Sequence, residues 1–126
     1  MRAVDSNIVV RLITRDHPTQ VDSAEQFVEP GAWVSLLALA ESVWVLKAIY
    51  ARDPEEIASA IDYFLNHKTL TLQDSEVVRA ALDNFRSHRK LGFADCLMVE
   101  IARKAGHLPL GTFDLDLSKL DGAEMI

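Results

Sequence analysis

The stretch TFDLDL sets two acids, Asp114 and Asp116, two positions apart behind the run HLPLG, and three more, Asp5, Glu41 and Asp95, stand in or beside apolar segments. Carboxylates gathered in one pocket repel each other unless something positive lies between them. Hard divalent cations such as Mg²⁺ or Mn²⁺, which prefer oxygen ligands, are the usual remedy. Two such ions about 3.5–4 Å apart activate water and steady the leaving oxygen of a phosphodiester. The acids thus point to metal-assisted hydrolysis, with Asp116 reaching a second ion or a metal-bound water.

Each acid also has a plain structural role open to it. Glu41 is flanked at helical spacing by Leu37, Ala38, Trp44 and Val45, where an unpaired carboxylate would lose hydration worth several kcal/mol or more. Its plain alternative is the border of the apolar face, snorkelling out to water or bonded to a nearby arginine. Asp95 suits the first turn of a helix, where acids complement the dipole. It is followed by Met98 and Val99, whereas Glu100, Arg103 and Lys104 form a polar stripe further on, so Asp95 is expected on the packed side. Asp5 can cap the segment after it, and Asp114 or Asp116 can cap the turn LSKL.

The elements that must position these acids alternate between strand and helix. MRAVD is a short strand ending in an acid; SNIVVRLITR is ambiguous, because its β-branched residues cluster without alternation. HPTQVDSAEQFVEPG, LLALAESVWVLKAIY, DPEEIASAIDYFLNH, DSEVVRAALDNFRSH and GFADCLMVEIARKAG read as helices. The third carries Asp53 as cap, Pro54 at its first position and Glu56 completing a capping box, and the last ends at Gly106. AWVS, TLTL, LPLGT and AEMI are strand candidates. Such alternation predicts an α/β domain with a mainly parallel sheet. In the order 3-2-1-4-5, Asp5 and Asp114 would meet at the carboxyl ends of neighbouring strands, where ligands bind in doubly wound sheets.

At 126 residues the chain has the size of one domain, residues 1–126. A net charge of −6 removes the basic footprint of a protein that grips nucleic acid by charge alone. It leaves room for acids that hold cations. No Gly-rich phosphate loop follows the first strand, which excludes dinucleotide and Walker-type binding. The four histidines show no ligand spacing, and the single cysteine, Cys96, suits a buried position and a reducing cytoplasm. No segment reads as a signal or membrane span, so a cytoplasmic protein is expected.

Four motifs in order, AVDSN with Asp5, LLALAESVWVL with Glu41, FADCLM with Asp95 and TFDLD with Asp114, make the chain resemble the PIN-domain ribonucleases, more narrowly the VapC-type toxins of toxin-antitoxin pairs. The resemblance runs over essentially the whole length. It implies a three-layer α/β/α fold, an Mg²⁺- or Mn²⁺-dependent endoribonuclease, a homodimer, and a cognate antitoxin whose tail enters the active-site groove. Carried over, Asp5, Glu41, Asp95 and Asp114 would be the catalytic, metal-holding acids and Asp116 an accessory ligand. Ser6, Asn7 and Thr112 match supporting polar positions. RNA phosphates need cations, for which Arg11, Arg86, Arg89 and Lys90 are the candidates.

Two other classes are open. A PIN-like module that binds without catalysis would not need all four acids. A receiver-type phospho-acceptor domain wants an acidic pair at the first strand and a lysine after the last, whereas VDSN has one acid and the sequence closes on AEMI.

Overall fold

The computed structural model describes Met1–Ile126 as an α/β chain of seven helices and five strands. Its contacts divide it into two compact units, Met1–Ser75 and Glu76–Ile126.

The first unit opens with β1 (Arg2–Val4), followed by α1 (Ser6–Thr14), α2 (Pro18–Val28), β2 (Ala32–Val34), α3 (Leu36–Ala48), α4 (Pro54–Asn66) and β3 (Leu70–Leu72). The ambiguous stretch after Asp5 is helical. Capping by Asp5 and burial of Val9, Val10 and Leu12 outweigh the modest helix penalty of its β-branched residues. β2 lies between β1 and β3, parallel to both, with Val4 opposite Val34 and Val34 opposite Leu72. The three strands therefore end level, and Asp5, Ser35 and Gln73 follow along one carboxyl edge. Ser35 caps α3 by accepting from the Ala38 amide at 3.0 Å, and Gln73 Oε1 accepts from the Leu36 amide at 2.9 Å.

α4 starts as its sequence predicts. Asp53 Oδ1 accepts from the Glu56 amide at 2.8 Å, and Glu56 Oε1 accepts from the Asp53 amide at 3.0 Å. Ile57, Ile61 and Phe64 then recur on one face and are buried, joining Val9, Val34, Leu39 and Leu46 among the buried apolar residues of this unit. α3 is different. Its apolar residues run all round, so no stripe singles out the buried side, which is Ala38, Leu39, Ser42, Val43 and Leu46.

The second unit is formed by α5 (Ser75–Ser87, beginning at the boundary), α6 (Phe93–Ala105), β4 (Leu110–Thr112), α7 (Leu115–Ser118) and β5 (Ala123–Met125). β4 and β5 are parallel partners, so the strands form two ladders, β1-β2-β3 and β4-β5. Of the expected order 3-2-1-4-5, the neighbours 3-2-1 and 4-5 are seen, each within its own ladder of three-residue strands. Gly106 ends α6 at φ 81°, a left-handed value that an L side chain resists. Glu100, read from sequence as part of a solvated stripe, is buried. Its oxygens accept from Asn84 Nδ2 at 3.3 Å and Arg103 Nε at 3.0 Å, which answers most of the cost of burying a charge.

Cys96 is fully buried in α6, and burial, seconded by the charge of Asp95, pushes its thiol from 9.0 to about 11. Since the folded chain holds this proton longer than the unfolded chain, the thiol's contribution to stability is intact below pH 9.0 and is lost as pH rises towards about 11. At pH 8, iodoacetamide should modify Cys96 only as fast as the chain opens, so mass-spectrometric labelling should track urea unfolding. Rapid labelling of the folded protein would contradict this burial.

Candidate functional site

Asp5 is the residue between β1 and α1. Its extended backbone lets Oδ1 accept from the Ile8 amide at 3.2 Å and cap the helix, while Oδ2 takes no hydrogen bond. Ser6 follows, buried, at the first helical position, and Asn7 is exposed beside it. A cavity of about 450 Å³ opens at this helix mouth, lined by Asp5, Asn7, Ile8 and Arg11 from α1 and by Gln20 and Ser23 from α2.

Arg11 is held in place rather than left free. Its Nε donates to Gln20 Oε1 at 2.8 Å, and Nη1 reaches Asp16 Oδ1 at 2.8 Å and the Tyr50 hydroxyl at 3.0 Å. Tyr50 in turn donates to Asp16 Oδ2 at 2.8 Å. The Tyr50 hydrogen bond, and behind it the Asp16 carboxylate, drive the guanidinium pKa above its usual value; Tyr50 and Thr14 hold Asp16 below its own. Of its side-chain nitrogens, only Nη2 makes no hydrogen bond.

Glu41 lies on α3 but does not line this cavity, and it is exposed. Burial among apolar neighbours, expected from its spacing, is not what α3 does: Leu37 (77% exposed) and Trp44 (63%) stand on the outward side with it.

In the second unit, Asp114 caps α7. Its Oδ1 accepts from the amides of Asp116 and Leu117 at 2.8 and 3.2 Å, and its own amide donates to Thr112 Oγ1 at 3.0 Å. Thr112 thus holds the backbone that leads into Asp114. Asp116 is half-buried and its carboxylate makes no hydrogen bond. Asp95 sits half-buried in the first turn of α6, its carboxylate likewise without a hydrogen bond. Arg86 in the last turn of α5, and Arg89 and Lys90 in the connection to α6, are exposed and in no ion pair. His88 is tied locally, its Nδ1 2.9 Å from the Asn84 carbonyl oxygen.

A model of the PIN domain matches residues 2–123, a span that takes in nearly all of both units and all five acids. The chain belongs to the PIN domain family. A search of curated proteins gave no match.

PIN domains are in general metal-dependent nucleases, so the acids of this PIN domain can be tested against a cation. Their chemistry fits Mg²⁺ or Mn²⁺: all five offer hard oxygen donors, none is in an ion pair, and each keeps at least one oxygen that the fold does not use. Asp16, Glu25, Glu56, Glu76, Glu100 and Asp121, by contrast, are each matched to an Arg or Lys. Within neither unit do three such side chains gather as a ready-made cage. Mg²⁺ does not require one, since it is commonly held by one or two carboxylates together with water and substrate phosphates.

Gln20 and Ser23 escaped the sequence reading. Their signal is the spacing of three on a helix whose start is marked by His17 and Pro18, which puts both on one face of α2.

Proposed function

We propose that residues 1–126 form a single metal-dependent endoribonuclease domain of the VapC toxin type, hydrolysing RNA phosphodiester bonds in the cytoplasm as a homodimer and silenced by a cognate antitoxin. The observation that carries this reading is the PIN match over residues 2–123, a span that contains Asp5, Glu41, Asp95 and Asp114, all four free of salt bridges.

In this reading Asp5, Glu41, Asp95 and Asp114 hold Mg²⁺ or Mn²⁺, with Asp116 as accessory ligand. The bound cation supplies Lewis acidity that activates water and stabilises charge on the leaving oxygen. The chain's own residues orient and attract. The helix caps fix Asp5 and Asp114 through one oxygen and leave the other for binding. Ser6, Asn7 and Thr112 support the two capping segments, and Arg86, Arg89, Lys90 and the free Nη2 of Arg11 contact phosphates. No histidine base is needed.

Purified protein should cut total RNA when Mn²⁺ or Mg²⁺ is present and should stop on addition of EDTA, with cutting restored by excess metal. Cleavage that continues unchanged in chelator would rule out the metal-dependent reading.

A further inference from the structure

The cavity beside Asp5 has one wall, Gln20, whose hydrogen-bonding sense is fixed, and that sense bears on which nucleotide it accepts. An uncommitted glutamine amide can turn over and offer either its oxygen or its NH₂ to a ligand. Gln20 cannot do so freely. Its Oε1 accepts from Arg11 Nε at 2.8 Å, and a turned-over amide would set N–H against N–H. Arg11 is itself pinned through Nη1 by Asp16 and Tyr50, so the amide has a rigid backstop. Gln20 Nε2 makes no hydrogen bond within the protein. What Gln20 has to offer the cavity is a pair of donors.

The other polar walls are adaptable. Ser23, one turn further along α2, carries a hydroxyl that both donates and accepts, and the Asn7 side chain has no partner in the protein. The Arg11 charge is answered by Asp16 at 2.8 Å, and the Asp5 carboxylate, an acceptor in the same lining, is common to every Gln20 variant, so the direction of the amide at position 20 is what those variants change. Single-stranded RNA exposes base edges to this kind of recognition.

The geometry points to Gln20 as a specificity-determining residue that admits a keto base, uracil or guanine, beside the Asp5 end of the site and disfavours the amino bases cytosine and adenine. This rests on the ribonuclease reading above. Uracil offers an acceptor, O4, to the Gln20 amide and an N3–H to the Ser23 oxygen. Cytosine presents an amino group at the same place, donor against donor. Arg11 then has a second task besides the phosphate contact of its Nη2: through Nε it positions Gln20.

The test compares fluorescein-labelled oligouridylate and oligocytidylate ten-mers by fluorescence anisotropy in EDTA, so that no cleavage intervenes. Wild-type protein is expected to bind oligouridylate about tenfold more tightly, a difference typical of one directional hydrogen bond. Gln20→Leu should bring the two within about twofold by weakening oligouridylate alone. Gln20→Glu, which keeps an acceptor for Arg11 and turns a second acceptor outward, should favour oligocytidylate. Gln20 is exposed, so both variants should fold, which circular dichroism checks. Equal wild-type affinities, an unchanged preference in Gln20→Leu, or equal weakening of both oligonucleotides would overturn the inference. Cleavage lost in Asp95→Asn without any uridine preference would remove this inference alone. Cleavage undiminished in Asp95→Asn would remove the nuclease reading while leaving the binding preference to be judged on its own titration.

Discussion

Asparagine at Asp5, Asp95 or Asp114 is expected to lower kcat/KM for RNA cleavage by about 10²–10³-fold, the size of effect seen when one electrostatic contact to a transition state is removed. The fold should survive all three changes. Asparagine serves as an N-cap about as well as aspartate, so the bonds from Ile8 to residue 5 and from Asp116 and Leu117 to residue 114 persist while the negative charge goes. Asp95 makes no hydrogen bond that its replacement could break. Alanine separates the two roles. At Asp5 it should also cost about 0.5–2 kcal/mol as a lost cap, whereas at Asp95 it should cost activity with no comparable loss of a cap. Initial rates together with urea midpoints for the five variants test the pattern; wild-type rates in Asp95→Asn would refute the catalytic assignment.

The second large effect is structural. Phe64→Ala is expected to destabilise the protein by about 3–5 kcal/mol, the usual cost of emptying a buried aromatic site. Phe64 is 1% exposed and lies edge-on to Tyr63 at 5.8 Å, on the face of α4 that also buries Ile57 and Ile61. Against a total stability of about 5–15 kcal/mol for an ordinary domain, that is a large share. The urea midpoint should fall well below that of Leu65→Ala, whose side chain on the same helix is only half-buried. Equal midpoints would mean that α4 does not anchor its unit.

Where local chemistry determines structure, the sequence was readable. Asp53, Pro54 and Glu56 announce the start of α4, Gly106 announces the end of α6, and the alternation of elements yields the parallel runs β1-β2-β3 and β4-β5. Where a pattern is uniform, it carries no direction. α3 is Leu, Ala and Val on every side, so the spacing around Glu41 suggested burial although the side chain is exposed. Glu100 misled for the opposite reason: charged neighbours imply a solvated stripe, but one of its partners, Asn84, lies sixteen residues earlier on another helix. The candidate acids were legible as types and positions. Their capping duties were legible only as options, because whether an aspartate caps depends on the backbone that follows it.

The outward side of α3 has a consequence for handling the protein. Leu37 and Trp44 flank Glu41 in open water, so this carboxylate interrupts what would be a continuous oily ridge. A charge at this place opposes non-specific association through the ridge. A neutral residue at 41 would remove an acid and create a sticky strip in one step, which makes light scattering as informative for that variant as any assay of turnover.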